Sequence, residues 1–196
     1  MTTTTTTTSE NSITALTGRY QIDAAHSRLG FVARHAMVTK VRGQFGDVDG
    51  QLYLDVEDPT RSTAEVTVQM KSISTGNDQR DEHLRSPDFF HVDEHPVMTF
   101  KSTKAESTGD DTYRLTGDLT IKGVSRPVTF DIEHTGATKD PWGNLRVGFE
   151  GKATINRKDW GLAWNAVLEA GGVMVSDKIT IELDIAAVRP VEEAAA

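Results

Sequence analysis

The sequence predicts an all-β protein whose antiparallel strands roll into a barrel, and three observations carry that expectation. First, residues 113–134 alternate almost without fault: Tyr113, Leu115, Gly117, Leu119 and Ile121 are separated by Arg114, Thr116, Asp118 and Thr120. After Lys122-Gly123-Val124-Ser125, the residues Val128, Phe130, Ile132 and His134 alternate with Thr129, Asp131 and Glu133. Strand side chains point to opposite faces with period two, so one face is apolar and the other wet. Second, the same alternation recurs along most of the chain. Third, Gly117, Gly148 and Gly151 fall inside strand patterns, where barrels place bends and bulges. A chain with one dry face on nearly every strand rolls that face inward, so its interior is where function is to be sought.

Taken in order, residues 1–16 form a polar head, all threonine from 2 to 8, which is expected to be disordered. It has no basic n-region, apolar h-region or small-residue cleavage site, which points to a cytoplasmic protein. A single barrel domain is expected over 17–189, with a loose tail at 190–196. Strands are expected at 19–23, 27–35, 43–54, 64–72, 97–105, 112–121, 128–134, 145–155 and 178–188. The clearest inward sets are Leu29, Phe31, Ala33, His35, then Ala64, Val66, Val68, Met70, then Val147, Phe149, Gly151, Ala153, Ile155 and finally Ile179, Ile181, Leu183, Ile185.

Two insertions interrupt the meander. Residues 77–90 hold a short polar helix capped at Asn77 or Asp78, followed by Ser86-Pro87-Asp88-Phe89-Phe90, where two adjacent aromatics need burying. Residues 157–176 hold Trp160, Trp164 and the flexible Glu169-Ala170-Gly171-Gly172. Loops of this length usually have a functional or capping task, and both suit closing one mouth of a barrel.

The net charge of -8 argues against a nucleic-acid partner and against electrostatic docking on anionic membranes. With no cysteine, structural disulfides, thiolate zinc sites and a Cys nucleophile are excluded. No apolar run approaches the roughly 20 residues of a membrane span. At about eight strands, a barrel interior is either filled by side chains or holds one small ligand. The inward Ala33, Gly50, Ala64, Gly117, Gly151 and Ala153 leave volume, whereas Phe31, Phe45, Phe100, Phe130 and Phe149 fill it. Both a cavity and a solid core are compatible with that pattern.

Among polar candidates, His35 ends an apolar inward face. It reads either as a satisfied core histidine or as a polar handle in a dry pocket that donates to a ligand oxygen. His134 shares parity with Val128, Phe130 and Ile132 and reads as facing inward near a rim. His83, His91 and His95 lie among Asp88, Asp93 and Glu94, but their spacing matches no metal-ligand motif, so no metal is expected. Arg157, in Asn156-Arg157-Lys158-Asp159-Trp160-Gly161, reads either as a surface turn residue or as a guanidinium at the barrel mouth aimed at a phosphate or carboxylate. No phosphate loop, G-x-S-x-G elbow or H-E-x-x-H is present, and Ser27 beside His26 is no nucleophile–base pair by adjacency alone.

The ordered blocks Tyr20-Gln21-Ile22-Asp23-Ala24-Ala25-His26-Ser27, Phe31-Val32-Ala33-Arg34-His35, Asp81-Glu82-His83-Leu84-Arg85-Ser86-Pro87-Asp88-Phe89-Phe90, His95-Pro96-Val97-Met98-Thr99-Phe100 and Gly117-Asp118-Leu119-Thr120-Ile121-Lys122-Gly123 make the chain resemble the YceI-like family of lipocalin-type polyisoprenoid-binding proteins. The resemblance covers residues 18–188. It implies an extended eight-stranded antiparallel lipocalin-like β-barrel with short helical insertions, whose apolar pore holds a long isoprenoid chain. It also implies that the segment 84–90 lines or lids the pore, and Trp160, where relatives often have Phe, would narrow it.

The function expected is therefore non-catalytic binding of an isoprenoid lipid, of the polyprenyl phosphate or isoprenoid quinone class, for storage, transport or sequestration, with no cofactor. The expected wall is Phe31, Phe45, Leu84, Phe89, Phe90, Phe100, Leu119, Phe149 and Trp160, with His35 and Arg157 at the polar end. A homodimer is expected if a sheet edge or an apolar strip is exposed. The alternatives are a stress-related scaffold with a filled barrel, or an enzyme on a small hydrophobic substrate using His35.

Overall fold

A computed structural model describes residues 15–190, so the head up to residue 14 and the tail from 191, both expected to be loose, lie outside the described residues. Its strands are β1 (Gly18–Ile22), β2 (Arg28–His35), β3 (Thr39–Phe45), β4 (Val48–Leu54), β5 (Thr63–Gln69), β6 (Ile73–Ser74), β7 (Val97–Ser107), β8 (Thr112–Ile121), β9 (Val124–Lys139), β10 (Leu145–Asn156) and β11 (Lys178–Arg189). One helix, α1 (Asp78–Arg85), stands between β6 and β7.

The eleven segments make eight strands, because six of them are halves. β1 and β2 are one strand broken by the 3-10 turn Ala24–His26, β3 and β4 are separated by Gly46 and Asp47, and β5 and β6 are broken by the 3-10 turn Met70–Ser72. The halves pair in step: β4 with β1 and β5, β3 with β2 and β6, β11 with both β1 and β2. Around the ring each strand is antiparallel to its sequence neighbour, and the pairs Gln21↔Val188 and Ile22↔Ala187 close it. This is the expected eight-stranded antiparallel barrel.

The break between β1 and β2 shows why Asp23-x-x-His26-Ser27 has its composition. The Asp23 carboxylate accepts the Ala25 amide (3.2 Å), capping the turn. The Asp23 amide and the Ser27 hydroxyl both donate to the Ala186 carbonyl (2.8 and 3.1 Å). Ser27 Oγ also accepts the Ala186 amide (3.0 Å), so a side chain completes the ladder where the backbone leaves it.

The expected boundaries shift where turns are tighter than composition suggests. Strand β9 begins at Val124, because Lys122 and Gly123 alone make the turn, both left-handed (φ 52 and 74) as a two-residue hairpin requires. β9 also runs on to Lys139, since residues 136–139 still pair with β10 past the bulged Thr135. Of the three glycines expected at bends, Gly148 sits at a register shift, Gly117 lies opposite one at Ser102/Lys104, and Gly151 lies in regular pairing.

Helix α1 is capped by Asn77, whose side chain accepts the Arg80 amide (2.9 Å). It covers the outer edge of the two-residue β6: the Arg85 guanidinium donates to the carbonyls of Ile73 (2.8 Å) and Lys71 (3.1 Å). The barrel interior holds two adjoining apolar clusters around Phe45, Val68 and Ile73, and around Leu119, Phe130 and Trp160. A third cluster, of Tyr20, Val147 and Ala187, lies toward the end where both ends of the described chain emerge.

Candidate ligand cavity

The two ends of the barrel are built differently. At one end, the insertions expected to close a mouth do so. Leu84 of α1 and the following Phe89, Phe90 and Val92 pack onto the interior clusters from one side. Trp160, Leu162 and Trp164 pack from the other, with the Trp160 indole donating to the Leu119 carbonyl (2.9 Å). The His83 ring joins the two insertions: it stands edge-on to Trp164 (4.7 Å) and Phe89 (5.1 Å) and bonds the Asp88 carboxylate (2.8 Å).

At the other end, and down the middle of the barrel, lies an apolar cavity of about 220 Å³. Its deep wall includes Val66, Phe100, Leu119, Phe130, Phe149 and Leu183. Its entrance is framed by Leu16, by Leu54 at the end of β4, by Val56 and Pro59 of the loop after it, and by Tyr113 and Leu115 of β8. The volume sits somewhat below the roughly 300–1,000 Å³ common for small-molecule sites, with an open mouth through which a longer chain can extend.

Apart from Thr99, the polar lining residues gather at the entrance. Asp55 is buried there, accepting the Asp58 amide (2.9 Å) and pairing with Arg61 (3.4 Å). His134 faces the cavity, as its parity suggested, with Nδ1 3.4 Å from the Asp111 carboxylate and its ring 5.4 Å from that of Phe149. Burial, and then the neighbouring Asp111 carboxylate, push the Tyr113 hydroxyl above its ordinary pKa, so it stays a neutral donor. Among the described residues, no lysine or arginine lines this cavity.

Of the expected wall, Phe100, Leu119 and Phe149 line the cavity. Phe45, Leu84, Phe89, Phe90 and Trp160 instead pack in or under the closed end, and Phe31 leans against the Phe45 ring (5.8 Å). The expected polar end needs correction on both counts. His35 is exposed, because the β2–β3 hairpin runs past the end of the barrel and takes the alternation with it.

Arg157 is only 3% exposed and belongs to the closed end. Its guanidinium donates to the carbonyls of Ser176 (3.0 Å), Leu162 (2.5 Å), Trp164 (2.9 Å) and Val175 (3.4 Å), and Asp177 stands 3.6 Å away. Its fork is used up holding the second insertion in shape, with no donor turned to a ligand. Small inward residues mostly admit neighbours rather than leave space. A Cβ on Gly117 would meet the Phe100 ring at 2.5 Å, and one on Gly50 would meet Ile22 at 2.7 Å. The residues of the 55–62 loop carry no periodicity, which is why the entrance was not visible in the sequence.

No group of three or more His, Asp or Glu side chains is placed to hold a metal ion among the described residues. Known proteins give the cavity its context. The profile of the YceI-like domain family matches residues 20–187. A UPF0312 protein of Ectopseudomonas mendocina is 40% identical over 148 residues, 74% of this chain and 78% of its own length. Another from Staphylococcus epidermidis is 39% identical over 165 residues, 84% and 94% of the two chains.

Among solved structures, the YCEI protein of Campylobacter jejuni superposes with a TM-score of 0.70 at 29% identity, over 81% of this chain and 90% of its own. BcnA of Burkholderia cenocepacia has the same fold, with a TM-score of 0.75 at 22% identity over 84% and 98% of the two chains. So does a polyisoprenoid binding domain from Saccharophagus degradans implicated in plant cell wall breakdown (0.62, 17%, 87% and 98%).

Proposed function

Since the chain belongs to the YceI-like family, we propose that it is a lipid-binding protein that takes an isoprenoid chain into the barrel cavity, for storage, transport or sequestration, and that it carries out no reaction. The observation that carries the reading is the apolar cavity whose polar lining groups, Thr99 apart, lie at its rim. The named binding activity of the Saccharophagus degradans domain, which shares this barrel, supports the ligand class. Each buried CH₂ stabilises by about 0.8 kcal/mol, so a few isoprene units supply useful affinity without any catalytic group.

The entrance favours an uncharged head group, a quinone rather than a polyprenyl phosphate. Phosphate recognition relies on arginine or lysine; none lines the cavity, and Arg61 at the entrance is already paired with Asp55, while Asp111 adds a second carboxylate. Tyr113 and His134 are placed to donate to a carbonyl or hydroxyl oxygen. A catalytic role for His35 has no support, since that side chain is outside the cavity.

Native mass spectrometry of freshly purified protein, followed by organic extraction, tests the reading. The expected result is a stoichiometric adduct that fragments in five-carbon steps, and that is lost in Leu115→Arg, which sets a charge in the entrance. An apo mass that takes up neither added quinone nor polyprenyl phosphate overturns the reading, and uptake of the phosphate alone overturns the head-group assignment.

A further inference from the structure

One wall beside the closed end carries a charge pattern opposite to that of the molecule. On the outer wall of β2, β3 and β11, Arg34, Lys40, Arg42 and Lys178 line one shallow groove. Arg34 and Lys40 are directly paired across the β2–β3 ladder, and Arg42 follows Lys40 on the same face. Like charges directly opposite one another in an antiparallel pair destabilise it, so the barrel gains nothing internally from this arrangement. The two acids that also line the groove are engaged elsewhere: Glu182 with Arg28 (3.6 Å), and Asp177 with Lys158 (3.0 Å) and Arg157 (3.6 Å). None of the four cations has an ion pair among the described residues.

Beside this groove the hairpin tip projects apolar side chains. Ala36 and Met37 turn it in the left-handed region (φ 50 and 59), leaving Met37 55% and Val38 76% exposed. The tip is fixed to the second insertion by the Ala36 amide on the Met174 carbonyl (2.8 Å) and the bridge His35↔Val175. That insertion adds Val167, 85% exposed, which bridges to Val173 in the wall of the same groove. Protruding aliphatic side chains next to unpaired cations match the two layers of an anionic lipid surface: acyl boundary and head groups.

We propose that this face docks the protein on an anionic membrane surface, with Met37 and Val38 entering the interface and Arg34, Lys40, Arg42 and Lys178 lying over the head groups. The net charge of -8 does not prevent this, because charges beyond a Debye length, about 8 Å at physiological salt, are screened from the contact. The docking is separate from what the cavity holds. The entrance, at the opposite end, then points away from the bilayer into solution.

Co-sedimentation of the full chain with isoprenoid-free vesicles tests it. Binding is expected to phosphatidylcholine vesicles containing phosphatidylglycerol, not to phosphatidylcholine alone, and to fall as salt is raised. The triple variant Arg34→Gln, Lys40→Gln, Arg42→Gln is expected to bind about a hundredfold more weakly, about fivefold per charge, the equivalent of about 1 kcal/mol each. Its unfolding midpoint should be unchanged or higher, since a repulsion is removed, which separates lost docking from a lost fold. Met37→Ser with Val38→Ser should weaken binding while keeping its salt dependence. Absence of binding to the anionic vesicles, or equal binding by the triple variant, overturns the proposal and leaves an acidic protein surface as what the groove complements.

Discussion

At the scale of single residues, Arg157 shows how one side chain fixes a segment that has no regular structure. Residues 162–176 offer few backbone partners to each other, and the guanidinium collects four of their carbonyls at one point. Arg157→Gln is expected to cost about 2–4 kcal/mol in urea unfolding, because buried acceptors lose charged donors. Lysine should not rescue it, having no planar fork. Gly117→Ala is expected to cost about 1–3 kcal/mol, as its Cβ meets Phe100 and the Lys101 carbonyl at 2.5 Å. Residue identities were legible in the sequence where period two holds, as at Phe100, Leu119 and Phe149. They were not legible where the role depends on a partner far along the chain: nothing local to Arg157 says that its acceptors lie at 162–176.

At the scale of elements, the turns and seams hold the strands in register. Gly123 in the β8–β9 turn has φ 74, and the nearest atom to a Cβ there, on His95, is at an ordinary 3.4 Å. Gly123→Ala should therefore cost only the left-handed strain, about 1–2 kcal/mol, read as a lower thermal midpoint with the same ligand occupancy.

A second seam joins the β1–β2 break to the β9–β10 hairpin. Arg146 donates to Asp23 (2.7 Å) and to Asp140 (3.1 Å). The Arg146 hydrogen bond, against some burial and helped by His26, holds the Asp23 carboxyl below its ordinary pKa. Burial alone would raise the Asp140 carboxyl, but donors from Asn144, Arg146 and the Trp142 amide leave it lowered as well. A carboxyl depressed in the folded state contributes its stability above the unfolded pKa, about 3.9, and loses it as pH falls through the folded value. Acid titration of stability should therefore turn down below about pH 4, and Asp23→Asn should flatten that limb while lowering stability at neutral pH. The alternation located the barrel strands but began β3 four residues late, ran it into β4 across Gly46 and Asp47, where the inward parity shifts from Phe45 to Val48, and missed the two-residue β6.

At the scale of the whole molecule, closure joins strands from opposite ends of the sequence, Gln21 to Val188 and Phe31 to Ile181. Folding must bring these together before the ring rewards it, so refolding is expected in the millisecond-to-second range by stopped-flow fluorescence. Microsecond refolding would contradict a closure-limited barrel. A barrel with one dry face per strand was readable from period, and the count of eight from the family resemblance, whereas which end opens was not. That depends on how two aperiodic insertions fold over one rim, and no local pattern encodes it.

The Arg189 guanidinium donates to the carbonyls of Thr17 (2.5 Å) and Ala15, and Leu16 beside them is part of the cavity entrance. Both ends of the described chain thus leave the barrel within reach of its opening. A tag or fluorophore carried on either end joins the barrel on the side of the opening, and immobilising the protein by such a tag risks obstructing uptake. The chain contains no cysteine, so a single thiol placed on the exposed face of α1, as in Glu82→Cys, is a unique handle at the opposite pole. Anchored there, the protein would present an unobstructed opening to a biosensor surface or to a donor membrane.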